Sequence, residues 1–364
     1  MERIRLGIVG ASAEKGWAKQ THIPALRALP EYEFIAACAS RPESAQRAAE
    51  VYHTRYAFSD YRDLVRCPEV DAVTIAVRVP WHREIAIAAL REGKHVYCEW
   101  PLAPTVAEAE EMAEAAHRSG LKNQVGLQGK FAPWVQYVKE LVQVGTLGRI
   151  FTVNARLSLP HVYMRPGMEW AANRAGGNHI LWIQVPHILI LIVESLGELA
   201  QVSAQVRTQF SRWRLPGSET LIEADAPDNV AIHGQLTNGA ALSAHFAYVP
   251  AVPTGWRLEV YGEKGTVVAS SPTVGHVVPN RLEASFEGET ELRALEVPER
   301  FRWVPPGVPS TGALNLAQAY RRFSQAILSD GPSEPNFGTG LRFLRILTAI
   351  EQSSRDGGKR VQLN

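Results

Sequence analysis

The stretch Arg3–His22, RIRLGIVGASAEKGWAKQTH, decides how the rest of the chain is read. An apolar run (Ile4, Leu6, Ile8, Val9) stops at Gly10, small residues carry the chain to Gly16, and a helical segment opens at Trp17. Strand, glycine loop and helix start are the opening of a dinucleotide-binding βαβ unit. The loop lets the backbone come close to a pyrophosphate, and the helix start offers it N–H groups and a positive dipole end. The spacing departs from G-x-G-x-x-G. Ser12 and Lys15 stand where the second and third glycines belong, and Gly16 comes one residue late. The loop alone therefore does not separate a cofactor site from an ordinary βα turn.

The alternation of strands and helices beyond the loop does separate them. Phe34–Cys38, Asp71–Val77, His95–Cys98 and Asn123–Leu127 read as short buried strands. Between them lie helical segments at Thr21–Leu29, Pro42–Tyr52, Asp60–Arg66, His82–Arg91 and Thr105–Ser119, the last with Thr105 as cap and Glu108 as its capping-box partner. This alternation means a doubly wound parallel sheet, in which ligands sit beyond the strand C-termini. Gly10, Ser40, Val77, Arg78, Glu99, Trp100, Pro101 and Gln128 all fall at that edge. Ser40 and Arg41 come directly after the second strand. An acidic residue there would bond the ribose 2′-hydroxyl of NAD, whereas a hydroxyl beside an arginine suits a 2′-phosphate. NADP is the expected cofactor, with NAD as the alternative.

Beyond Leu127 the pattern changes. A helix over Ala132–Val144 precedes a strand over Ile150–Leu159, a loop rich in Arg, Trp and Gly over Tyr163–Gly177, and an apolar helix over Ile180–Leu196 interrupted by Pro186. Strand-like runs come next at 201–208, 229–236, 240–247, 256–261 and 266–270, with Asn238-Gly239 as a type I′ hairpin signal. They form an antiparallel sheet. Residues 272–309 are proline-rich and aperiodic, and helices over Thr311–Ser329 and Gly340–Ser354 end the chain. The expected class is α/β, with a Rossmann domain over 1–126 and a substrate and oligomerisation domain over 127–364.

The bulk properties narrow the function. With 364 residues, a net charge of +1 and 21% charged residues, nothing points to nucleic-acid wrapping or an acidic tail. The N-terminus enters a strand without a signal-peptide pattern, and the segment Ile180–Val193 is too short to span a bilayer. Cys38, Cys67 and Cys98 lack C-x-x-C spacing, so neither a disulfide framework nor a zinc site is expected, and a reducing cytoplasm fits. No metal-ligand spacing stands out.

The ordered series GIVG…HIPAL, DAVTIAV…His82, GKHVYCEWPLA, VGLQGKFAP, LGRI and AGGNHILWIQVPH resembles the Gfo/Idh/MocA oxidoreductases over nearly the whole chain. AEKGWAKQTHIPAL and LQGKFAP resemble the branch containing the yeast galactose-regulon repressor. The resemblance implies a Rossmann domain followed by an α/β domain on a large, mostly antiparallel sheet that forms a dimer or tetramer contact. It implies cofactor contacts at Gly10, Ser12, Gly16, Trp17, Ser40, Arg41, Val77, Arg78, His82, Glu99, Trp100, Pro101 and Gln128. The family's E-K-P motif falls on Glu99, Trp100 and Pro101, so tryptophan stands where a lysine is usual. Two customary aspartates fall on Ile183 and Ile190.

His187 matches the family's histidine and is read as a substrate contact or proton donor, against packing as a core residue. His179, two turns earlier, either shares that face or sits in a cap or loop. Lys130 and Tyr163 are alternative replacement polar groups, each weighed against solvated surface. Trp100 forms a wall against nicotinamide or substrate, or fills core, and offers no proton-transfer group. Two functions are consistent with these residues: an NADP(H)-dependent oxidoreductase acting on a small sugar-, polyol- or carbonyl/imine-type substrate, or a non-catalytic nucleotide-binding regulator working through a protein partner.

Overall fold

The computed structural model describes residues 3–160, 169–214, 219–250, 252–277 and 280–363. By their contacts they form two compact units: residues 1–131 with 302–344, and residues 132–301 with 345–364. The segment 302–344 thus returns to the first unit, which a division into two consecutive stretches does not contain.

The first unit holds six parallel strands: β1 (Ile4–Val9), β2 (Tyr32–Cys38), β3 (Tyr56–Phe58), β4 (Ala72–Ile75), β5 (His95–Cys98) and β6 (Asn123–Val125). Their order is β3-β2-β1-β4-β5-β6, a doubly wound sheet that reverses direction between β1 and β4. Strand β3 has no signal in the sequence, because three partly exposed residues carry no periodicity. β4 is buried at every position, as a central parallel strand must be with helices on both faces. The helix Val106–Ser119 starts as expected, with Thr105 accepting from the Glu108 N–H at 3.2 Å. The returning helix Gly312–Leu328 closes one face: Leu316, Tyr320 and Phe323 join Leu6, Ile8, Leu26 and Tyr97 in one core.

The strands of the second unit are, in chain order, β7 (Ile150–Pro160), β8 (Leu199–Arg207), β9 (Arg212–Arg214), β10 (Leu221–Glu223), β11 (Asn229–Leu236), β12 (Ala241–Val249), β13 (Gly255–Gly262), β14 (Gly265–Ser271), β15 (Arg281–Phe286), β16 (Arg293–Ala294) and β17 (Val361–Gln362). β9 and β10 pair as a separate ribbon. The others make a nine-stranded sheet, β16-β15-β14-β13-β7-β12-β11-β8-β17, antiparallel except where β12 pairs with β7. The β11–β12 hairpin forms at Asn238-Gly239, but not as the type I′ turn expected. Its loop is Thr237-Asn238-Gly239, with the Gly239 N–H on Leu236 O and only Gly239 at positive φ. This is the three-residue hairpin with glycine in the left-handed position. Asn238 keeps a negative φ, and its amide donates to Leu196 O at 2.8 Å and accepts from the Ala240 N–H at 3.1 Å.

The helix Ile180–Leu196 runs unbroken through Pro186. An interior proline costs about 3 kcal/mol, yet 13 of the 17 residues are buried, and each large apolar side chain returns roughly 1.5–3 kcal/mol. Burial on nearly every side wins. Among the described residues no helix is long and apolar enough to cross a membrane.

Candidate functional site

The first group of candidates lies at the C-terminal edge of β1, β2, β4 and β5. β1 ends at Val9, and Gly10 turns the chain with φ +100°, a conformation that favours glycine. A Cβ at Gly10 would stand 2.3 Å from the Ala76 carbonyl oxygen, so no other residue fits between β1 and the end of β4. The Gly10 and Ala11 N–H groups both donate to Cys38 O, at 2.9 and 3.0 Å. The Ser12 hydroxyl accepts from the Glu14 and Lys15 N–H groups at 3.2 and 3.4 Å, tying down its own loop. A serine therefore serves there, with Gly16 one residue late. The loop is a side-chain-capped turn, not an all-glycine one. The helix after it begins with one π turn, Ala18–His22, continues as Ile23–Arg27 and is led by Trp17. The Trp17 indole N–H is enclosed without a hydrogen-bond partner among the described residues.

Ser40 and Arg41 are exposed at the end of β2, with Arg41 at the N-cap of the helix Pro42–Tyr52. Val77 is half-buried and Arg78 exposed beyond β4. His82 is buried, with Nδ1 2.8 Å from Pro101 O and Nε2 3.0 Å from Val77 O. Burial pushes its pKa down, and the two carbonyls oppose that. Its ring therefore joins the loop after β4 to the turn after β5.

Glu99 opens that turn and faces inward. Its Oε1 lies 3.0 Å from His22 Nε2, an ion-pair distance without hydrogen-bond alignment. His22 Nδ1 meets the Tyr320 hydroxyl at 2.7 Å, and that hydroxyl meets Thr74 Oγ1 at 2.8 Å. The carboxylate crosses Gly126, where a Cβ would come within 2.8 Å of Oε2. Burial holds the Tyr320 phenol well above its usual range, so it serves as a neutral hydroxyl.

The Trp100–Pro101 peptide is cis. Trp100 is only 6% exposed and meets Phe343 edge-on at 6.4 Å. Gln128 and Lys130 sit on a short 3₁₀ turn, Gln128–Phe131. Gln128 is buried with Oε1 lacking a hydrogen-bond partner among the described residues, and Lys130 is half-buried.

The second group belongs to the other unit. His187 lies on the helix Ile180–Leu196, 6% exposed, with Nδ1 enclosed and without a hydrogen-bond partner among the described residues. Burial alone lowers its pKa to about 3. One turn earlier on the same face, Gln184 is 6% exposed and its Oε1 also lacks a partner. Gln184 is not among the residues expected from the sequence, although an amide within so apolar a run was the signal available. His179 is the N-cap residue, without a side-chain capping bond and with its pKa lowered to about 3, chiefly by burial. Ile190 is buried and Ile183 half-buried, so no carboxylate stands at those two positions. His276 is likewise absent from the expected set. It arrives from the aperiodic segment after β14 and stacks on His187. Tyr163 lies outside the described residues.

Residues 4–127 match the family described as oxidoreductase family, NAD-binding Rossmann fold, and residues 135–268 match the GFO/IDH/MocA C-terminal domain. Dehydrogenase aclE of Aspergillus oryzae is 30% identical over 305 residues, covering 79% of this chain and 83% of that one. Levoglucosan dehydrogenase of Pseudarthrobacter phenanthrenivorans is 27% identical over 401 residues, covering 97% of each. A solved levoglucosan dehydrogenase in complex with NADH and L-sorbose has a TM-score of 0.87 over the whole of both chains at 22% identity, a likeness of fold. The galactose/lactose metabolism regulatory protein GAL80 of Kluyveromyces lactis is 25% identical over 256 residues, covering 65% of this chain and 56% of that one. The chain belongs to the Gfo/Idh/MocA oxidoreductase family, with both dehydrogenases and a regulator among its relatives.

Proposed function

We propose that the chain is an NADP(H)-dependent oxidoreductase that moves a hydride to or from a small sugar-, polyol- or carbonyl/imine-type substrate. The observation that carries this reading is the Gly10 cradle at the C-terminal edge of the parallel sheet, a turn at φ +100° pressed so closely on the Ala76 carbonyl that only glycine fits. The groups around it suit a dinucleotide. The Gly10–Gly16 loop opens onto a helix start, and the Trp17 N–H and Gln128 Oε1 are enclosed without partners. Arg41 is exposed at the ribose end without an acidic neighbour in the Ser40-Arg41-Pro42 sequence, which favours a 2′-phosphate.

The nicotinamide supplies the hydride chemistry when bound. The chain's own residues hold the dinucleotide and manage one proton. Trp100 provides an apolar wall and has no proton to exchange. His187 takes the proton-handling role: burial alone disfavours its charged form, and a substrate hydroxyl hydrogen-bonded to the ring favours it, so the imidazole takes that hydroxyl's proton as hydride passes to the oxidised nicotinamide and gives it back in the reverse direction. A polar substrate would also satisfy Gln184 Oε1 and His187 Nδ1, which are enclosed without a hydrogen-bond partner among the described residues. A sugar-like substrate accords with the levoglucosan dehydrogenase relative. Assembly as a dimer or tetramer through the nine-stranded sheet belongs to the same proposal.

A second reading, a nucleotide-binding regulator, is favoured by Trp100 at the lysine's position and by the GAL80 relative. One experiment separates the two: NADPH binding and NADPH consumption by the full chain against a panel of ketones, sugars and imines, with polyols in reverse. Turnover that falls about 10²–10⁴-fold in His187→Ala, with NADPH affinity unchanged, is the expected result. Tight binding with no turnover across the panel supports the regulator. Full turnover in His187→Ala removes that residue and leaves a substrate, such as an iminium, that takes hydride without a proton.

A further inference from the structure

The ring that could hand over a proton in the second unit is held in an unusual way. A histidine used in proton transfer commonly has one nitrogen fixed by a carboxylate or carbonyl, which sets its tautomer and plane. Among the described residues His187 Nδ1 has no such partner, although it is fully enclosed. What meets the ring is a second imidazole. The His276 and His187 rings lie 4.0 Å apart at 4° to one another, face to face, each nine-tenths buried or more.

His276 is brought there by a built loop. Gly275, just before it, lies flat on the Trp256 indole: a Cβ at 275 would stand 2.1 Å from Trp256 Nε1. Trp256 Nε1 donates to Asn280 Oδ1 at 2.5 Å, and the Asn280 amide donates to Gly275 O at 2.8 Å. Only glycine permits that approach, and the indole–amide–carbonyl chain fixes the residue from which the His276 ring projects. Burial alone depresses the pKa of His187, and burial followed by the charge of His187 depresses that of His276. His187 is thus the charged group that His276 has to face across the stack.

We propose that His276 is a positioning residue for His187, its stacked ring fixing the plane of the His187 imidazole and confining the pair to at most one proton. Two stacked imidazoles titrate as a unit, because a charge on one face opposes a charge on the other. The inference rests on the reading of His187 as the proton-handling residue, and it adds the group that sets how that residue is presented.

The test uses the full chain with histidine side chains labelled for NMR, in wild type, His276→Ala, His276→Phe and His187→Ala. In His187→Ala, the His276 resonances titrate at higher pH than in wild type, because the charge that faces them is gone. In His276→Ala the His187 ring loses the surface that fixes its plane. Turnover falls about tenfold while NADPH affinity stays within about twofold, a split that general damage to the fold would not give. His276→Phe keeps a ring in the stack but cannot be charged, so it retains turnover within about threefold of wild type. It also serves as the readout if the alanine variant does not fold. Unchanged His276 titration in His187→Ala overturns the proposal, as does an equal loss of turnover in both His276 variants. Full turnover in His187→Ala is a different failure, that of the proton-handling role, and the NMR titration still decides whether the two rings are coupled.

Discussion

The strand-end edge of the first unit and the histidine face of the second are built by opposite means. At the edge, the decisive groups are backbone: the Gly10 turn, the Gly10 and Ala11 N–H groups on Cys38, and a serine hydroxyl that caps its own loop. Each belongs to a strand end, and local geometry makes it. On the histidine face the decisive groups are side chains in a nearly all-apolar helix, and the partner ring comes from a distant loop pinned to Trp256. A dinucleotide is a constant ligand that backbone can hold. In the proposed mechanism proton handling depends on one ring and its surroundings, and with Trp100 in place of the motif lysine that ring carries the proton.

The contrast is most directly broken at Gly10. Gly10→Val forces a branched side chain into φ +100° and against the Ala76 oxygen. NADPH affinity is expected to fall by about a hundredfold or more, while the His187 and His276 resonances of the other unit stay put. Loss of less than about threefold in a titration calorimeter would mean that the cradle does not hold the cofactor.

Acid sharpens the other side. His179 and His187 are held at about 3 in the fold, against 6.5 as the ordinary value, so between those limits the unfolded chain takes up protons that the folded chain refuses. The stability from keeping them neutral is complete above pH 6.5 and is lost as pH falls toward 3. At about pH 5 the loss is about 2 kcal/mol for each histidine. Urea denaturation at neutral pH and near pH 5 measures it. His179→Phe, which leaves the His187–His276 pair intact, should remove about half of the part contributed by these two residues, and an unchanged acid sensitivity would contradict the burial argument.

The smallest effect expected is at the ribose end. Arg41→Ala should weaken NADPH by about ten- to a hundredfold, the worth of a charged hydrogen bond, and NADH by less than about twofold. Equal losses for the two cofactors would withdraw the 2′-phosphate assignment.

Legibility in the sequence divides along the same line. Apart from β3, the first sheet and the helix His82–Arg91 can be read from alternation and breakers, since β4 and β5 are short apolar runs between polar turns. The Asn238-Gly239 hairpin is legible as a hairpin but not as a turn type, because the amide of Asn238 has tertiary partners that keep it out of positive φ. Glu99 can be placed at a strand end, yet nothing local shows that it turns inward to His22, which answers to Tyr320 on a helix near the other end of the chain. His276 has no signal at all, since it sits in proline-rich, aperiodic sequence whose path is set by Trp256.

By itself the sequence determined the family, the doubly wound sheet and the position of the dinucleotide loop, because strand–glycine–helix order and apolar period are local properties of the chain. Tertiary structure alone decided which polar groups face which. It turned Glu99 toward His22, closed Trp100 against Phe343, and laid His276 on His187. Those outcomes depend on packing between segments far apart in sequence, where a ring or carboxylate takes whatever partner burial leaves it.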